Sequence, residues 1–295
     1  MTFISVLLRD LERSSPGSGE TAKQVLSMLG GISPKSALFV GDEIATPQLI
    51  SERFGCRLVS AFTDEIRVQQ GSEAGLDASA VQLFELPGED GSYDLIWYNG
   101  IVDFDGCEQR LEQLRAKLSM GGILVYRAVS WLTEPSPDTK MFCQRRFGRI
   151  LPLDKVLVLA KEMGWHVQDF YIAPKSDWQK GYYEPLISAA EKYAGIHKDD
   201  SSVSLGMSEL RKEHGIFEAH CEEYSFTVQK IDGVYVVDAP FMAPILSTCN
   251  MEDYESLQYF QRVLRSSGII DELEKQGIQE DDLVSIYDFE FNYVR

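Results

Sequence analysis

The chain has 295 residues, 44% hydrophobic and 25% charged, and carries a formal net charge of −18. This is the composition of an ordinary folded protein, long enough for one large α/β domain and a small second one, because single cores stop growing near ~250–300 residues. The acidity repels a phosphate backbone and no run of Lys/Arg exceeds two residues, as at Arg145–Arg146, which argues against nucleic acid as a partner.

The first twenty residues hold only a short apolar run, Ile4 to Leu8, with no basic start and no small-residue cleavage site. No stretch approaches the ~18 apolar residues of a membrane span. The five cysteines (Cys56, Cys107, Cys143, Cys221, Cys249) are scattered and odd in number, and the four histidines are dispersed. Free thiols fit a reducing compartment, and neither residue type has the spacing of a metal site or a histidine triad. The expectation is a cytoplasmic protein with no metal and no membrane partner.

From Ser36 the chain takes up a strand–helix–strand rhythm that calls for a parallel, doubly wound sheet. Ser36–Val40 reads as the first strand, 46–54 as a helix and Arg57–Phe62 as the second strand, after which Thr63 can cap a helix. The apolar stretch Val81–Leu86 is the third strand, ended by a Pro/Gly turn at 87–92, and Tyr93–Asn99 is the fourth. A helix over 108–118 presents Leu111, Leu114 and Leu118 on one face, and Gly121–Gly122 leads into a fifth strand, 123–129.

Further on, 153–163 reads as a helix stopped by Gly164, and His166–Ile172 as another strand. Helices are expected over 182–193 and 207–212, with a polar loop between them. The alternation of Tyr224, Phe226 and Val228 makes 222–231 the last strand of the large sheet, in a reversed hairpin at its edge. The texture changes at Gly233: a strand over 234–237, helices over 253–266 and 271–275, and an alternating segment 283–293, with 12 acidic against 4 basic residues. The domains are therefore expected at 1–231 and 233–295.

In a doubly wound sheet the ligand lies outside the carboxyl ends of the strands, and the turn after the first strand is the main contact. Glycines there let backbone amides approach the ligand. This chain has Phe39-Val40-Gly41-Asp42-Glu43-Ile44-Ala45 at that turn, where only Gly41 and the small Ala45 keep the expected character.

Five blocks in order carry a resemblance. They are Leu11–Ser18 (LERSSPGS) before the first strand, Asp90–Trp97 (DGSYDLIW) at the fourth, and Leu118–Gly122 (LSMGG) before the fifth; then come Trp131–Pro135 (WLTEP) and the region from Trp178 through Tyr182-Tyr183-Glu184-Pro185-Leu186. With them, residues 1–231 resemble the class I S-adenosylmethionine-dependent methyltransferases, a Rossmann-like fold, and most strongly a bacterial branch acting on small molecules. The resemblance implies S-adenosylmethionine as cofactor and a small-molecule acceptor.

It also implies a cofactor site, from which this sequence departs. Phe39, Glu43 and Ala45 stand at the acidic, second-glycine and third-glycine places; Phe62 stands where an acid binds the ribose, with Asp64 as a substitute two residues on. Glu85 is the nearest candidate for the acid that reads the adenine. The implied cofactor-binding set is Gly41, Asp42, Glu43, Ala45, Phe62, Glu85 and Asn99. Glu43 either meets the sulfonium charge or fills space that backbone and ligand share.

Methyl transfer needs mainly alignment, so Tyr98, Asn99 and Glu134 are the candidates for orienting an acceptor or taking its proton. Strand-end packing, a turn cap and a surface acid are their respective structural alternatives. Trp131, Trp178, Tyr182 and Tyr183 either roof an acceptor pocket or pack helices on the sheet, and the loop 14–19 either closes over the cofactor or is a plain connection.

Residues 233–295 resemble the C-terminal domain of Obg-type GTPases, through Asp253–Arg265 (DYESLQYFQRVLR), Gly268-Ile269-Ile270, Leu273, Gly277-Ile278, Asp281–Ile286 and Phe289-Glu290-Phe291. The face Leu257, Phe260, Val263 and Leu264 is spaced to pack on a sheet, with Phe289 and Phe291 as the opposing surface. The chain has no GxxxxGK[ST] loop, so the resemblance brings no GTP hydrolysis with it. What it implies is a regulatory module with a protein partner; a structural extension is the alternative. Two readings stand for the whole: a small-molecule methyltransferase with a weakened or altered cofactor site, and a catalytically inactive protein of that fold acting as a regulatory or ligand-binding module.

Overall fold

The computed structural model describes all residues except 1–2, 9–10, 63, 82–84, 100–105, 133–134, 199, 221–225, 249–253 and 295. Two compact units emerge, and they interleave in sequence. The first comprises 1–129, 138–150 and 175–221, and the second 130–137, 151–174 and 222–295. The sequence suggests a single cut near 231, because the hydrophobic pattern marks elements and not the core each one joins.

The first unit runs α1 (Phe3–Leu7), α2 (Gly19–Met28), β1 (Ser36–Gly41), α3 (Ala45–Phe54), β2 (Arg57–Phe62), α4 (Glu65–Glu73), β3 (Asp77–Ala80), β4 (Tyr93–Tyr98), α5 (Cys107–Lys117) and β5 (Leu118–Tyr126). The five strands form an all-parallel sheet in the order β3-β2-β1-β4-β5. The order reverses between β1 and β4, so the crevice at their carboxyl ends is the ligand position of this topology. This is the parallel, doubly wound sheet that the sequence rhythm predicts.

Alternation along the strands sorts the core. Ala37 and Phe39 of β1, Phe62 of β2 and Leu95 and Trp97 of β4 pack with Ala22 and Leu26 of α2 and Ile50 of α3. Ser18 starts α2 by accepting from the Thr21 amide at 3.1 Å. Gly55, left-handed at φ 57°, ends α3. Asp64 caps α4, its Oδ1 accepting from the Ile66 amide at 2.7 Å, whereas the expected cap, Thr63, lies outside the described residues.

The third strand lies before the apolar stretch that sequence assigns to it. Asp77–Ala80 pairs with Val59–Phe62, and the Val81 amide still donates to the Phe62 carbonyl at 2.9 Å. An edge strand with one neighbour forms from Asp-Ala-Ser-Ala without apolar alternation, because ladder hydrogen bonds to β2 and the fit of Ala78 against Gly71 of α4 hold it.

α6 (Pro137–Phe147) belongs almost wholly to this unit. A helical cluster completes the unit: α8 (Lys175–Trp178), a π-helical turn over Gln179–Tyr183, α9 (Glu184–Ile196) and α10 (Ser201–His220). Tyr182, Tyr183, Leu186 and Leu210 are buried there with Leu7 of α1, and Trp178 stacks on Phe217 at 5.7 Å. α10 begins at Ser201, inside the polar loop expected before it, because Asp200 caps it by accepting from the Ser202 amide.

The second unit is built on a four-stranded mixed sheet of β8 (Thr227–Ile231), β9 (Val234–Asp238), β10 (Leu283–Ile286) and β11 (Phe289–Asn292), in the order β11-β10-β9-β8. Asp232 and Gly233, both left-handed, make the two-residue turn that β8 and β9 need for antiparallel pairing. The parallel pair β9 and β10 is joined through α11 (Met242–Thr248), α12 (Tyr254–Ser266) and α13 (Ile269–Lys275). As the spacing predicts, Phe260, Val263 and Leu264 of α12 are buried, and Phe260 meets Phe289 and Phe291 edge-on at 5.2 and 5.8 Å.

Two expectations fail here. His166–Ile172 is not a strand, although Phe170 and Ile172 still pack on the second core. The segment expected as the last strand of the large sheet becomes β8, the edge strand of the small one. The remaining elements of this unit are β6 (Ser130–Trp131), β7 (Leu151–Pro152) and α7 (Leu153–Glu162); Leu132, just after β6, and Leu153 and Leu157 of α7 join the same core.

Candidate functional site

β1 ends at Gly41 over the reversal point of the first sheet, and the next two residues are carboxylates. Both are buried: Asp42 is 6% exposed and Glu43 2%. Taking a carboxylate out of water costs several kcal/mol unless it is paired and hydrogen-bonded, so its partners define the site.

Glu43 Oε1 accepts from Asn99 Nδ2 and from Thr46 Oγ1, both at 2.8 Å, and its Oε2 lies 2.5 Å from Nη2 of Arg13. Arg13 is itself 6% exposed, and a backbone bridge joins Arg13 to Glu43. Asn99 is held in turn by Trp97, whose Nε1 donates to its Oδ1 at 3.0 Å. Asp42 fastens the residues after Arg13: Oδ2 accepts from the Ser14 amide and Oδ1 from Ser15 Oγ, both at 3.1 Å.

A second cation completes the cluster. Arg127, which follows β5, donates to Ser15 Oγ at 3.5 Å. Burial lowers its pKa from the ordinary value; Asp42, Glu43 and Asp177 oppose that shift and Arg13 adds to it. Asp177 is 2% exposed, and its Oδ2 has no hydrogen-bond partner among the described residues. The carboxyl end of β1 is thus covered by residues 13–17, in a cluster of three buried carboxylates and two guanidinium groups.

Of the residues sequence reasoning selected, Gly41, Asp42, Glu43 and Asn99 are brought together. Gly41 is required by packing: a Cβ there would stand 2.6 Å from Phe39 Cζ and 2.9 Å from Asn99 Cβ. Ala45 begins α3. Phe62 is fully buried beside Phe39, with ring centroids 6.0 Å apart, and offers no acceptor to the crevice. Asp64 is taken by its helix cap. Glu85 is exposed, and Glu134 lies outside the described residues.

Tyr98 points to the other face of the sheet from Asn99, as strand alternation demands, and stacks on Tyr126 at 5.4 Å. Burial raises its pKa while Arg110 opposes the shift, so the phenol holds its proton at neutral pH. Of the aromatic residues considered as an acceptor roof, Trp178, Tyr182 and Tyr183 belong to the helical cluster and Trp131 to β6 of the second unit. Sequence reasoning missed Arg13, Arg127 and Asp177 as site residues. Arg13 lies within the quoted LERSSPGS block, whereas nothing local marks the other two.

Residues 226–293 match the family described as "Domain of unknown function (DUF1967)". GTPase Obg of Ruminiclostridium cellulolyticum is 32% identical over 161 residues, covering 51% of this chain and 38% of that protein. GTPase Obg of Acetivibrio thermocellus is 47% identical over 74 residues, or 25% and 18% of the two chains. The chain thus spans less than two fifths of these curated relatives.

Among solved structures, the S-adenosylmethionine-dependent methyltransferase from Thiobacillus denitrificans, in complex with S-adenosyl-L-homocysteine, matches with a TM-score of 0.62 at 14% identity, over 75% of this chain and 94% of that one. YjhP from E. coli matches with a TM-score of 0.61 at 15% identity, over 74% and 93%. The [4+2]-cyclase SpnF matches with a TM-score of 0.52 at 16% identity, over 68% and 75%. The fold is that of the S-adenosylmethionine-dependent methyltransferases, and the cyclase shows that this fold hosts other chemistry as well.

Proposed function

We propose that the methyltransferase-fold unit acts as a ligand-binding or regulatory module with an altered cofactor site, and that the C-terminal unit serves it as a protein-contact module. The observation that carries this reading is the buried Glu43 carboxylate, ion-paired with Arg13 and hydrogen-bonded to Asn99 and Thr46. Features of the crevice weigh, in this reading, against S-adenosylmethionine in its usual place. Glu43 fills a place that needs a bare backbone, Arg13 and Ser14 lie over the strand end, and Phe39 and Phe62 are core residues with no polar atom to offer.

A second reading has its own support. The match to a methyltransferase solved with S-adenosyl-L-homocysteine covers three quarters of the chain, and Asn99 ends β4 beside Glu43. In that reading the unit methylates a small molecule, Asn99 helps align the acceptor, and an acidic surface disfavours nucleic acid.

Titration calorimetry with S-adenosylmethionine and S-adenosylhomocysteine separates the two. At about 1 mM ligand, a level that detects binding of roughly −4 kcal/mol, the first reading expects no heat. Saturable binding, followed by methyl transfer to an acceptor, overturns it in favour of the second.

A further inference from the structure

We propose that Arg13 is a resident ligand of the crevice, an internal guanidinium that occupies the cation position over the carboxyl end of β1. This rests on the reading that the cofactor site is closed, and it names what closes it.

Three observations converge on Arg13. The crevice where β1 and β4 diverge is where an open α/β sheet takes its ligand. At that place stand Asp42, Glu43 and Asp177, three carboxylates at most 6% exposed, which call for positive charge. The guanidinium of Arg13 supplies it at 2.5 Å from Glu43 Oε2.

The segment carrying Arg13 is built to hold it there. Its backbone bridges to Glu43, Ser14 and Ser15 bond to Asp42, and the Gly17 amide donates to the Asp177 carbonyl at 3.1 Å. Gly17 also leaves room for the arginines: a Cβ on it would stand 2.8 Å from Arg13 Nη1 and 3.1 Å from Arg127 Nη1. An occupant tethered within the same chain has an effective concentration in the millimolar range or above, so a free cation of modest affinity cannot displace it. Arg127 does not replace it, since it donates to Ser15 Oγ while Arg13 is the guanidinium at Glu43 Oε2. The ligand class this site accepts is therefore a guanidinium-type cation that ion-pairs with Glu43.

Chemical rescue tests this. Arg13→Ala removes the occupant and leaves the Glu43 carboxylate buried with an arginine-sized gap. Its melting temperature is expected to fall, and about 10 mM methylguanidinium is expected to restore a few degrees to the variant and none to the wild type. A variant with wild-type stability, or one that melts early and does not respond, overturns the proposal. Should Arg13→Ala not fold, Glu43→Gln keeps the side-chain volume and removes the charge that holds Arg13. Amide hydrogen exchange over 11–17 is then expected to rise at least tenfold while β4 stays protected, and unchanged exchange overturns the proposal. Cofactor binding by the wild type would sink the closed-site reading instead, and the rescue experiment does not depend on it.

Discussion

Gly17 and Gly181 meet backbone to backbone: a methyl group on Gly181 would collide with the carbonyl oxygen of Gly17. Gly181 sits in the π-helical turn Gln179–Tyr183, and Gly17 is the last of the residues that cover β1. The close approach registers the helical cluster against the covering segment. Gly181→Ala is expected to cost about 1–3 kcal/mol, the usual range for overpacking. The measurement is a urea midpoint together with amide exchange over 11–17. A variant with unchanged midpoint and unchanged exchange would show that the contact is slack.

Gly41 is the family-like residue of the turn, and its packing accounts for it without a cofactor. Gly41→Ala places a methyl 2.6 Å from Phe39 Cζ, with an expected loss of about 1–3 kcal/mol. Phe39→Leu removes that ring edge, so the double variant is expected to lose less than the sum of the singles. A double-mutant cycle on unfolding free energies reads the coupling, and strict additivity contradicts the packing account.

Asp94 ties the amino ends of three strands. It accepts from Ser119 Oγ at 2.8 Å, from the Lys35 amide at 2.8 Å and from the Ser36 amide at 3.2 Å. The Ser119 hydroxyl first, and then the Lys35 amide, hold its pKa below the ordinary carboxylate value. A depressed folded-state pKa gives stability that is present above the unfolded value of about 3.9 and is lost as pH falls through the folded value. The stability gap between wild type and Asp94→Asn is therefore expected to be constant from pH 7 to about 5 and to narrow on further acidification. Urea midpoints at stepped pH check this, and a gap that widens on acidification refutes it.

The doubly wound sheet was legible because β1, β2 and β4 are short apolar runs between turn residues, and their burial on both faces leaves little else for them to be. β3 escaped because Asp-Ala-Ser-Ala carries no apolar signal, and the run that does, Val81–Leu86, follows it. Alternation marks β8 as a strand but does not say which sheet it joins, since it specifies a face and not a partner. The carboxylates Asp42 and Glu43 were visible as a departure from glycine. Their counter-charges were not, because Arg127 is over eighty residues away in sequence and only the folded chain brings it to Ser15.

The interleaving of the two units sets a schedule for the nascent chain. Leu132, Leu153, Leu157, Phe170 and Ile172 leave the ribosome well before β10 and β11, against whose core they pack. At about 5–20 residues per second, the wait for the last strand is on the order of ten seconds. During it the first sheet can close while these apolar side chains still lack the strands that complete their core.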